Sequence, residues 1–400
     1  MIYLDSNATT QPDPAVVEVM LPYLTGSYGN PSAAHASGRQ ARRAVEQARA
    51  QVAALLGAEA QEIIFTSGGT ESINSVHLSV RHTAPARPLL ILGATEHPAT
   101  MACAARWQAQ GGRVKTVAIH ADGVLDLDAL AAALEPGLTA LVSMLWANNE
   151  TGVIHPMREI VEAAHAAGAL VHADAVQMVG KLPVDVGALP VDYLSLSGHK
   201  MHAPKGIGAL FVSRRAPFHP LVIGGGQEGE RRSGTENVPG IVALGKAAEI
   251  VMQSMDPTAD AAGRPTESRR PHDPYRLRDL LEQQLLAALP EIAIHGVAAP
   301  RLPNTSSVHF PGVDAAGLII RLDQKGVACS GGSACHTASL HPSHVLEAMG
   351  HDARHAASTL RFSLSRLTTS EDIDRAAAEI IAAVRHLRSQ WDGDAVVTMG

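Results

Sequence analysis

Polar residues that can do chemistry follow short apolar runs at several points in the chain. His97 follows one such run, Asp174 and Gln177 follow another, and Lys200 follows a third. A partly desolvated lysine amine can be neutral and nucleophilic, and an aspartate can hold a proton on a pyridine nitrogen. The stretch 67–70 reads Ser-Gly-Gly-Thr, and the backbone amides of such a turn can bind a phosphate at the start of a helix. Together these groups suit a phosphorylated pyridine aldehyde.

Each of these residues also has an ordinary structural explanation. Lysines are usually solvated, an aspartate after a strand often caps a helix, and histidines often pack in loops. The pattern as a whole favours a functional site over these structural explanations, because five predicted strand ends carry such clusters. Ligands of open α/β sheets bind beyond the carboxyl ends of the strands. We therefore expect one crevice lined by all five clusters.

The elements that must position these residues are short strands separated by alanine-rich helices. From residue 18 to about residue 251, β-branched runs alternate with helical stretches, which predicts a mostly parallel sheet covered on both faces. The predicted strands are 62–65, 89–92, 114–119, 140–145, 169–172, 193–196 and 209–212. The predicted helices include 41–56, 128–134 and 157–167.

The chain divides where its composition changes. Over 254–274, Pro, Asp, Arg and Ser dominate and no periodicity remains, which predicts a flexible insertion or linker. It separates a large cofactor-binding α/β domain over 16–253 from a smaller α/β domain formed by 1–15 together with 275–400. The elements predicted for the smaller domain are a helix over 275–289 and strands over 292–295, 306–309 and 361–364.

Bulk properties narrow the class of protein. The 400 residues carry a net charge of −7 and no basic run, which argues against direct nucleic acid binding. No apolar run approaches the ~18 residues that span a bilayer, and the first residues lack a signal pattern. With only three cysteines, no disulfide framework is expected, and the protein is expected to be cytoplasmic. The pairs His341/His344 and His351/His355 lack a clustered cysteine or carboxylate partner, so no intrinsic metal site is predicted.

Cys335 is the cysteine best suited to reactivity. It follows the Gly-Gly-Ser stretch 331–333 in a polar segment where cores are not built. The glycines around it predict a mobile loop over roughly 325–342. We interpret Cys103 as part of a helix core, whereas Cys329, near the base of the loop, is a weaker candidate for redox activity.

Motifs from residue 2 to about residue 375 resemble, in unbroken order, the cysteine desulfurases of the class-V aminotransferase group. The likeness is closest to the branch that supplies nitrogenase and general iron–sulfur assembly. It implies a fold of type I, like that of aspartate aminotransferase, and pyridoxal 5'-phosphate as the cofactor. The motifs that carry it are 3–10, 29–32, 96–98, 148–152, 174–177, 197–200, 203–206, 232–237, 332–335 and 361–366.

The resemblance implies a role for each matching residue. Lys200 would bind the cofactor, Cys335 would be the sulfur nucleophile, and His97 would stack on the ring and assist proton transfer. Asn149 and Arg361 would bind the substrate carboxylate. The implied cofactor contacts are Gly69, Thr70, Asn149, Asp174 (ring nitrogen), Gln177 (ring hydroxyl), Ser197, Gly198, His199, Lys200 and, from the neighbouring subunit of a homodimer, Thr235.

The implied reaction takes sulfur from free L-cysteine, releases L-alanine and leaves a persulfide on Cys335. The sulfur would pass to an acceptor protein such as an iron–sulfur scaffold, with Cys335 as a transient iron–sulfur ligand. The group that deprotonates Cys335 is open among His97, His336 and the cofactor-bound substrate. A selenocysteine-directed enzyme, an ordinary aminotransferase and a non-enzymatic sulfur-docking scaffold are the competing functions. The presence of both Cys335 and Lys200 favours sulfur chemistry.

The chain departs from the family pattern in a few places. Gly69 stands where the family has alanine, a change expected to be harmless. Gly331 replaces a serine and His336 a threonine beside the nucleophile, and the 254–274 stretch is longer than in the family. These changes bear on loop motion and on the choice of acceptor.

Overall fold

The computed structural model of the protein describes residues 1–255, 273–331 and 343–391. Within these residues the strands are β1 (Ile2–Tyr3), β2 (Ile63–Thr66), β3 (Leu89–Gly93), β4 (Arg113–Val117), β5 (Thr139–Leu145), β6 (Leu170–Asp174), β7 (Tyr193–Ser197), β8 (Gly208–Val212), β9 (Ala293–Ile294), β10 (Thr305–His309), β11 (Val327–Ala328), β12 (Ser330–Gly331) and β13 (Thr359–Ser363). The helices are α1 (Pro14–Leu24), α2 (Ala36–Leu56), α3 (Gly69–Thr83), α4 (Pro98–Ala109), α5 (Leu127–Ala133), α6 (Met157–Ala166), α7 (Val238–Ser254), α8 (Pro274–Ala288), α9 (Ala315–Gln324), α10 (His344–Ala348), α11 (Ala353–Ala357) and α12 (Ser370–Trp391).

Seven strands form the large sheet, in the order β2-β8-β7-β6-β5-β3-β4. They run parallel except for β8, which is antiparallel to its neighbours β2 and β7. Every residue of β3, β5, β7 and β8 is buried, as expected for strands covered by helices on both faces of the sheet. The seven strands predicted for this region are confirmed, with ends that differ by at most two residues.

The predicted helices of this region are also present, and the main difference is the start of α2. This helix begins at Ala36 rather than at residue 41. The side chain of His35 caps it by accepting a hydrogen bond from the Gly38 amide, while the first turn is mostly polar and hides the helix from a periodicity argument. None of the described helices is both long and apolar enough to cross a membrane.

The C-terminal part of the chain builds a second hydrophobic core around a four-stranded sheet, in the order β12-β13-β10-β9. Ile2 and Leu4 pack into this core with residues of α8, α9 and α12, and β1 pairs in parallel with β11. The first residues of the chain therefore join its C-terminal part. The domain boundaries at 16–253 and at 275–400 with 1–15 stay predictions, and nearly all of the 254–274 stretch lies outside the described residues.

Part of the segment predicted as a mobile loop over 325–342 is paired into short strands. Val327 and Ala328 pair with the N-terminal strand, and Ser330 and Gly331 pair with β13. The glycine content of the segment did not reveal these short pairings, because two-residue strands carry no periodic pattern. Residues 332–342, with Cys335 and His336, lie outside the described residues.

Candidate active site

Neighbouring parallel strands bring the candidate residues to one edge of the large sheet. Asp174 is the last residue of β6, Lys200 ends a single 3-10 turn directly after β7, and His97 caps the helix after β3. Asn149 follows β5, which lies between β3 and β6. The charge of Lys200 acts on the pKa of both Asp174 and His97, so the three side chains lie close together. These candidate residues therefore lie at one edge of the sheet, while a single crevice lined by all five clusters stays a prediction.

Lys200 is held in place by the N-terminal segment of the chain. Its Nζ donates hydrogen bonds to the carbonyl oxygens of Asn7 and Ala8, the second at 2.8 Å. The tight turn before it needs a residue without a side chain, because a Cβ at Gly198 would lie 3.0 Å from the Ala203 Cβ. The amine is thus part-buried and directed at a defined point.

Asp174 presents a fully buried carboxyl group at this edge. Burial raises its pKa to about 6, against the opposing effects of a hydrogen bond from the Val176 amide and of the Lys200 charge. The Val176 amide donates to Asp174 Oδ1 at 3.1 Å. A buried carboxylate of this kind gains most when a cation is placed beside it, and a protonated pyridine nitrogen is such a cation.

Glu96 is a second buried carboxyl group near Asp174, and the sequence analysis gave it no role. Burial raises its pKa well above the ordinary value, and the charge of Asp174 raises it further. Its Oε1 accepts a hydrogen bond from the Leu145 amide at 2.8 Å, whereas its buried Oε2 has no partner among the described residues. Burial thus favours the neutral form of Glu96, whereas the charge of Lys200 favours the ionised form of Asp174.

His97 lies in the crevice as a neutral imidazole. Burial lowers its pKa to about 4, and the charges of Lys200 and His344 lower it further. Its Nδ1 accepts a hydrogen bond from the Ala99 amide at 3.1 Å, which fixes the ring at the start of α4. The fixed, neutral ring can stack on a flat aromatic ligand and can accept a proton through Nε2.

The turn between β2 and α3 forms a cradle that side chains would fill. A Cβ at Gly208 would lie 2.6 Å from the Gly68 Cα, and one at Gly69 would lie 2.7 Å from Val176 Cγ2 and 3.9 Å from the Ser197 Cβ. The N-terminus of α3 has no side-chain cap, so its first amides are free for a phosphate. A Cβ at Gly69 would require the Val176 side chain to shift, and the effect of glycine in place of alanine here stays a prediction.

The other candidate phosphate contacts differ in how exposed their side chains are. Ser197 is buried at the end of β7, and Thr70 is exposed in the first turn of α3. His199 Nδ1 lies 3.2 Å from Thr9 Oγ1. Thr235 is exposed. Its loop is tied to α3 by an ion pair of 2.9 Å between Arg232 Nε and Glu71 Oε1.

Arg361 carries the positive charge nearest to Asn149. Its side chain is 1 % exposed, and its guanidinium donates to the Asn149 carbonyl oxygen at 3.0 Å and to Asp5 Oδ1 at 2.8 Å. Its buried Nε has no partner among the described residues. A buried guanidinium with an unused donor fits a carboxylate ligand.

Asn7 joins most of these groups, and sequence reasoning missed this role. Its carbonyl oxygen accepts hydrogen bonds from Lys200 Nζ and from Gln177 Nε2, the second at 3.0 Å, and its Nδ2 donates to the Asn149 carbonyl oxygen at 3.1 Å. Lys181 was also missed, although it follows Gln177 by one helical turn and contacts its Oε1. Burial and the charges of Lys200 and Arg361 lower the pKa of Lys181 well below the ordinary lysine value.

Both ends of the segment that contains Cys335 are attached beside this site. Before the segment, Ser330 pairs with Arg361 across β12 and β13. After it, the Ser343 hydroxyl donates to Glu150 Oε2 at 2.5 Å, and His344 Nε2 lies 3.1 Å from the Glu96 carbonyl oxygen.

The two cysteines within the described residues are poor nucleophiles. Cys103 is buried in α4, and burial raises its pKa to about 11. Burial and the charge of Asp5 raise the pKa of Cys329 to about 12, which opposes the redox role considered for it. Since the thiolate is the nucleophile, neither thiol is reactive near pH 7.

Comparisons with known proteins show the family of this chain. Residues 2–376 match the family model described as aminotransferase class-V. A curated cysteine desulfurase of Trichormus azollae is 46% identical over 389 residues, which cover 97% of this chain and 94% of the relative. A solved structure described as a NifS-like protein has a TM-score of 0.86 at 36% identity and covers 96% of this chain and 99% of its own. Another, described as SspA in complex with cysteine, has a TM-score of 0.77 at 32% identity, with 91% and 99% covered.

The parallel sheet, the lysine and buried aspartate at its carboxyl edge and the glycine cradle define a class, the pyridoxal-phosphate-dependent transferases of fold type I. Within it, the chain belongs to the cysteine desulfurases of the class-V aminotransferase family. The predicted fold class and family are confirmed. The roles of single residues stay predictions.

Proposed function

We propose that this protein binds pyridoxal 5'-phosphate at the carboxyl edge of the large sheet, removes sulfur from L-cysteine and holds it on Cys335. The observation that carries the proposal is the Asn7 network. Through one buried residue it joins the proposed cofactor lysine, Lys200, to Asn149 and Gln177, and Asn149 in turn binds Arg361. The residues proposed to bind the cofactor and those proposed to bind the substrate carboxylate are thus held at a fixed spacing.

The cofactor, when bound, supplies an electron sink for chemistry at the substrate α-carbon. Lys200 attaches it, Asp174 keeps its ring nitrogen protonated, Gln177 binds its ring hydroxyl and His97 covers its face. The phosphate is held by Gly69, Thr70, Ser197, Gly198 and His199. Support comes from the uncapped start of α3 and from the close approach of Gly208 to Gly68, which a side chain at Gly208 would prevent.

Arg361 and Asn149 bind the carboxylate of L-cysteine. The unused Nε of Arg361 and its fixed position between Asp5 and Asn149 support this assignment. With the substrate held at that end, the Lys200 amine is the base that moves the α-proton. His97, neutral because its pKa is about 4, is the second group able to accept a proton.

Cys335 takes the sulfur. Its thiolate attacks the substrate sulfur, the sulfur–carbon bond of cysteine breaks, and its electron pair stays with the carbon fragment, which is protonated to alanine. The sum is L-cysteine plus a thiol giving L-alanine plus a persulfide, with no external oxidant. Cys335 follows Gly331 by four residues, which span at most ~14 Å. Gly331 in turn follows Ser330, the residue that pairs with Arg361, so Cys335 is tethered near the proposed carboxylate site.

The partners follow from the same chemistry. A persulfide must be handed on, so the protein serves a sulfur-acceptor protein such as an iron–sulfur scaffold, with Cys335 as a transient iron–sulfur ligand. We propose a homodimer in which Thr235 of each subunit helps to hold the phosphate of the other. We also propose a cytoplasmic location.

Turnover of L-cysteine tests the proposal. Protein loaded with cofactor and supplied with L-cysteine and an excess of a small thiol should release alanine and sulfide in equal amounts. Lys200→Ala should stay folded but lose the visible absorbance of the lysine-bound cofactor and the activity, whereas Lys246→Ala, a surface lysine paired with Glu249, should retain both. Alanine without sulfide, or turnover by Lys200→Ala at the parent rate, would refute the proposed function.

A further inference from the structure

Four histidines of the C-terminal part come together away from the proposed active site. His295 follows β9, His351 lies between α10 and α11, His355 lies within α11, and His309 ends β10. One ring nitrogen from each of His295, His351 and His355 lies within 4.8 Å of the other two, and the Nε2 atoms of His295 and His355 are 2.8 Å apart. The sequence analysis left the His351/His355 pair without a partner, and the fold supplies one from a distant segment.

The rings are arranged so that their nitrogens can share one ligand. His351 and His355 stack at 4.0 Å with planes 10° apart, and His295 stands across them at 66–70°. His309 stacks on His355 at 3.6 Å. One ring nitrogen of each of these three histidines therefore lies close to the same point, and small rotations of the stacked rings turn their lone pairs toward it.

The surroundings keep the imidazoles in the form that binds metals. Burial and the neighbouring histidines lower the pKa of His295 to about 3 and of His355 to about 4. The Nδ1 of His295 lies 3.1 Å from the Ser307 hydroxyl oxygen. When Nδ1–H donates to this oxygen, Nε2 keeps its lone pair, as in metal sites where a second hydrogen bond sets the tautomer.

We propose that His295, His351 and His355 bind one divalent transition metal ion, with Zn²⁺ as the preferred occupant. Three imidazoles and a water make a four-coordinate zinc site with bonds of ~2.0–2.1 Å, so ligand nitrogens lie about 3.3 Å apart. The pairs in this structure are 2.8 Å apart at the closest and lie within 4.8 Å, so side-chain rotation alone brings them to that spacing. Neutral imidazole donors favour Zn²⁺, Ni²⁺ and Cu²⁺ over Mg²⁺ or Ca²⁺.

The ion would join segments that are distant in the chain. It would connect the end of β9 to α11. The preceding helix along the chain is α10, which begins directly after Ser343. This inference does not depend on the proposed function, since none of its residues belongs to the cofactor crevice.

Zinc titration of a protein without an affinity tag tests the site. The full chain with Cys335→Ser is used, so that this thiol does not bind the metal, and it is titrated with ZnCl₂ by calorimetry and with CoCl₂ by visible spectroscopy. One ion per chain is expected, with the intense visible bands of low-coordinate cobalt. His295→Ala, His351→Ala and His355→Ala should each weaken binding at least about tenfold. His219→Ala provides the control, because His219 belongs to the stacked pair with His82, for which the described part of the chain supplies no third histidine.

Thermal unfolding separates a lost ligand from a lost fold. Zinc should raise the Tm of the parent and of His219→Ala but not of the three ligand variants, because only an ion bound to the folded state stabilises it. His351, which is half-buried, can be removed without opening the core, so His351→Ala decides the matter if His295→Ala unfolds. Absence of zinc binding by the parent, or binding by all three variants with the parent's affinity, overturns the proposal.

Discussion

In the protein without cofactor, the buried carboxyl group of Asp174 lowers the folding stability near neutral pH. Its carboxyl is fully buried and has a pKa of about 6, against an ordinary value of 3.8. The folded state therefore holds the proton more tightly than the unfolded state. The contribution of Asp174 to the stability of the cofactor-free protein should be greatest below pH 4 and should fall as the pH rises through 6, by on the order of 3 kcal/mol.

Asp174→Asn should remove that cost. Asparagine keeps the acceptor for the Val176 amide but carries no charge. We expect the cofactor-free variant to be more stable than the parent at pH 8 and equal to it at pH 4, measured by urea unfolding, while its affinity for pyridoxal phosphate falls. Asp323→Asn, at an exposed position, should change neither property. A variant that is no more stable than the parent at pH 8 would contradict this account of Asp174.

Single residues could be predicted where chemistry and strand position coincide. Lys200, Asp174 and His97 stand out because each follows an apolar run, and the fold places all three together. Asn7 and Glu96 could not be assigned a role in the same way. Their importance comes from contacts with residues far away in the chain and from complete burial, which no local pattern encodes.

At the scale of elements, the approach of β8 to the turn before α3 depends on two glycines. A Cβ at Gly208 would lie 2.6 Å from the Gly68 Cα, so Gly208→Ala must displace the turn that forms the phosphate cradle. Overpacking of this kind costs about 1–3 kcal/mol. We expect a lower Tm and cofactor affinity weaker by about tenfold or more.

Gly26→Ala is the matched control for this prediction, because nothing lies within 4 Å of a Cβ added at Gly26. It should leave both the Tm and the cofactor affinity unchanged. Unaltered cofactor binding in Gly208→Ala would show that the cradle tolerates displacement.

The contact between Ser343 and Glu150 attaches the end of the Cys335 segment to the large sheet. Ser343→Ala removes this hydrogen bond and the cap of α10. Because Ser343 is not one of the proposed cofactor contacts, we expect the cofactor absorbance to be unchanged while persulfide formation slows several-fold. Ser389→Ala, which bonds only to its own helix on the surface, is the control and should react at the parent rate. Equal rates in Ser343→Ala and the parent would show that this attachment is not needed.

Elements were predictable where a periodic pattern runs long enough. The buried strands of the large sheet and helices α5 and α6 appear within two residues of the prediction. The short strands β11 and β12 were missed because their two residues are recruited by β1 and β13, a purely tertiary effect.

At the scale of the whole molecule, the proposed dimer can be tested by mixing subunits. Thr235 is exposed in its own chain. If it holds the phosphate of the partner, Thr235→Ala should weaken cofactor binding by about tenfold or more, as expected for a lost hydrogen bond to a charged group. After complete exchange with an equal amount of Lys200→Ala subunits, about half of the Lys200-containing sites should regain tight binding, because a Thr235→Ala subunit paired with a Lys200→Ala subunit receives an intact threonine.

Cofactor titration after subunit exchange provides the measurement, read from the absorbance of the lysine-bound cofactor. The unmixed Thr235→Ala protein is the control and should stay weak at every site. If the mixed protein gains no tight sites, Thr235 contributes to the site of its own subunit or to no site, and the proposed role is wrong. A native mass showing only monomers with bound cofactor would contradict the dimer itself.

The central claim is that sulfur from L-cysteine ends on Cys335, and the intact mass of the protein tests it most directly. Cofactor-loaded protein is given one equivalent of L-cysteine without added thiol, alkylated and weighed. We predict a gain of one sulfur atom per chain in the parent and in Cys329→Ser. Cys329 is not needed, because its thiol has a pKa of about 12 and stays protonated. Cys335→Ser should gain none, although its absorbance still changes when cysteine binds. Sulfur on the Cys335→Ser protein, or none on the parent while alanine forms, would contradict the account.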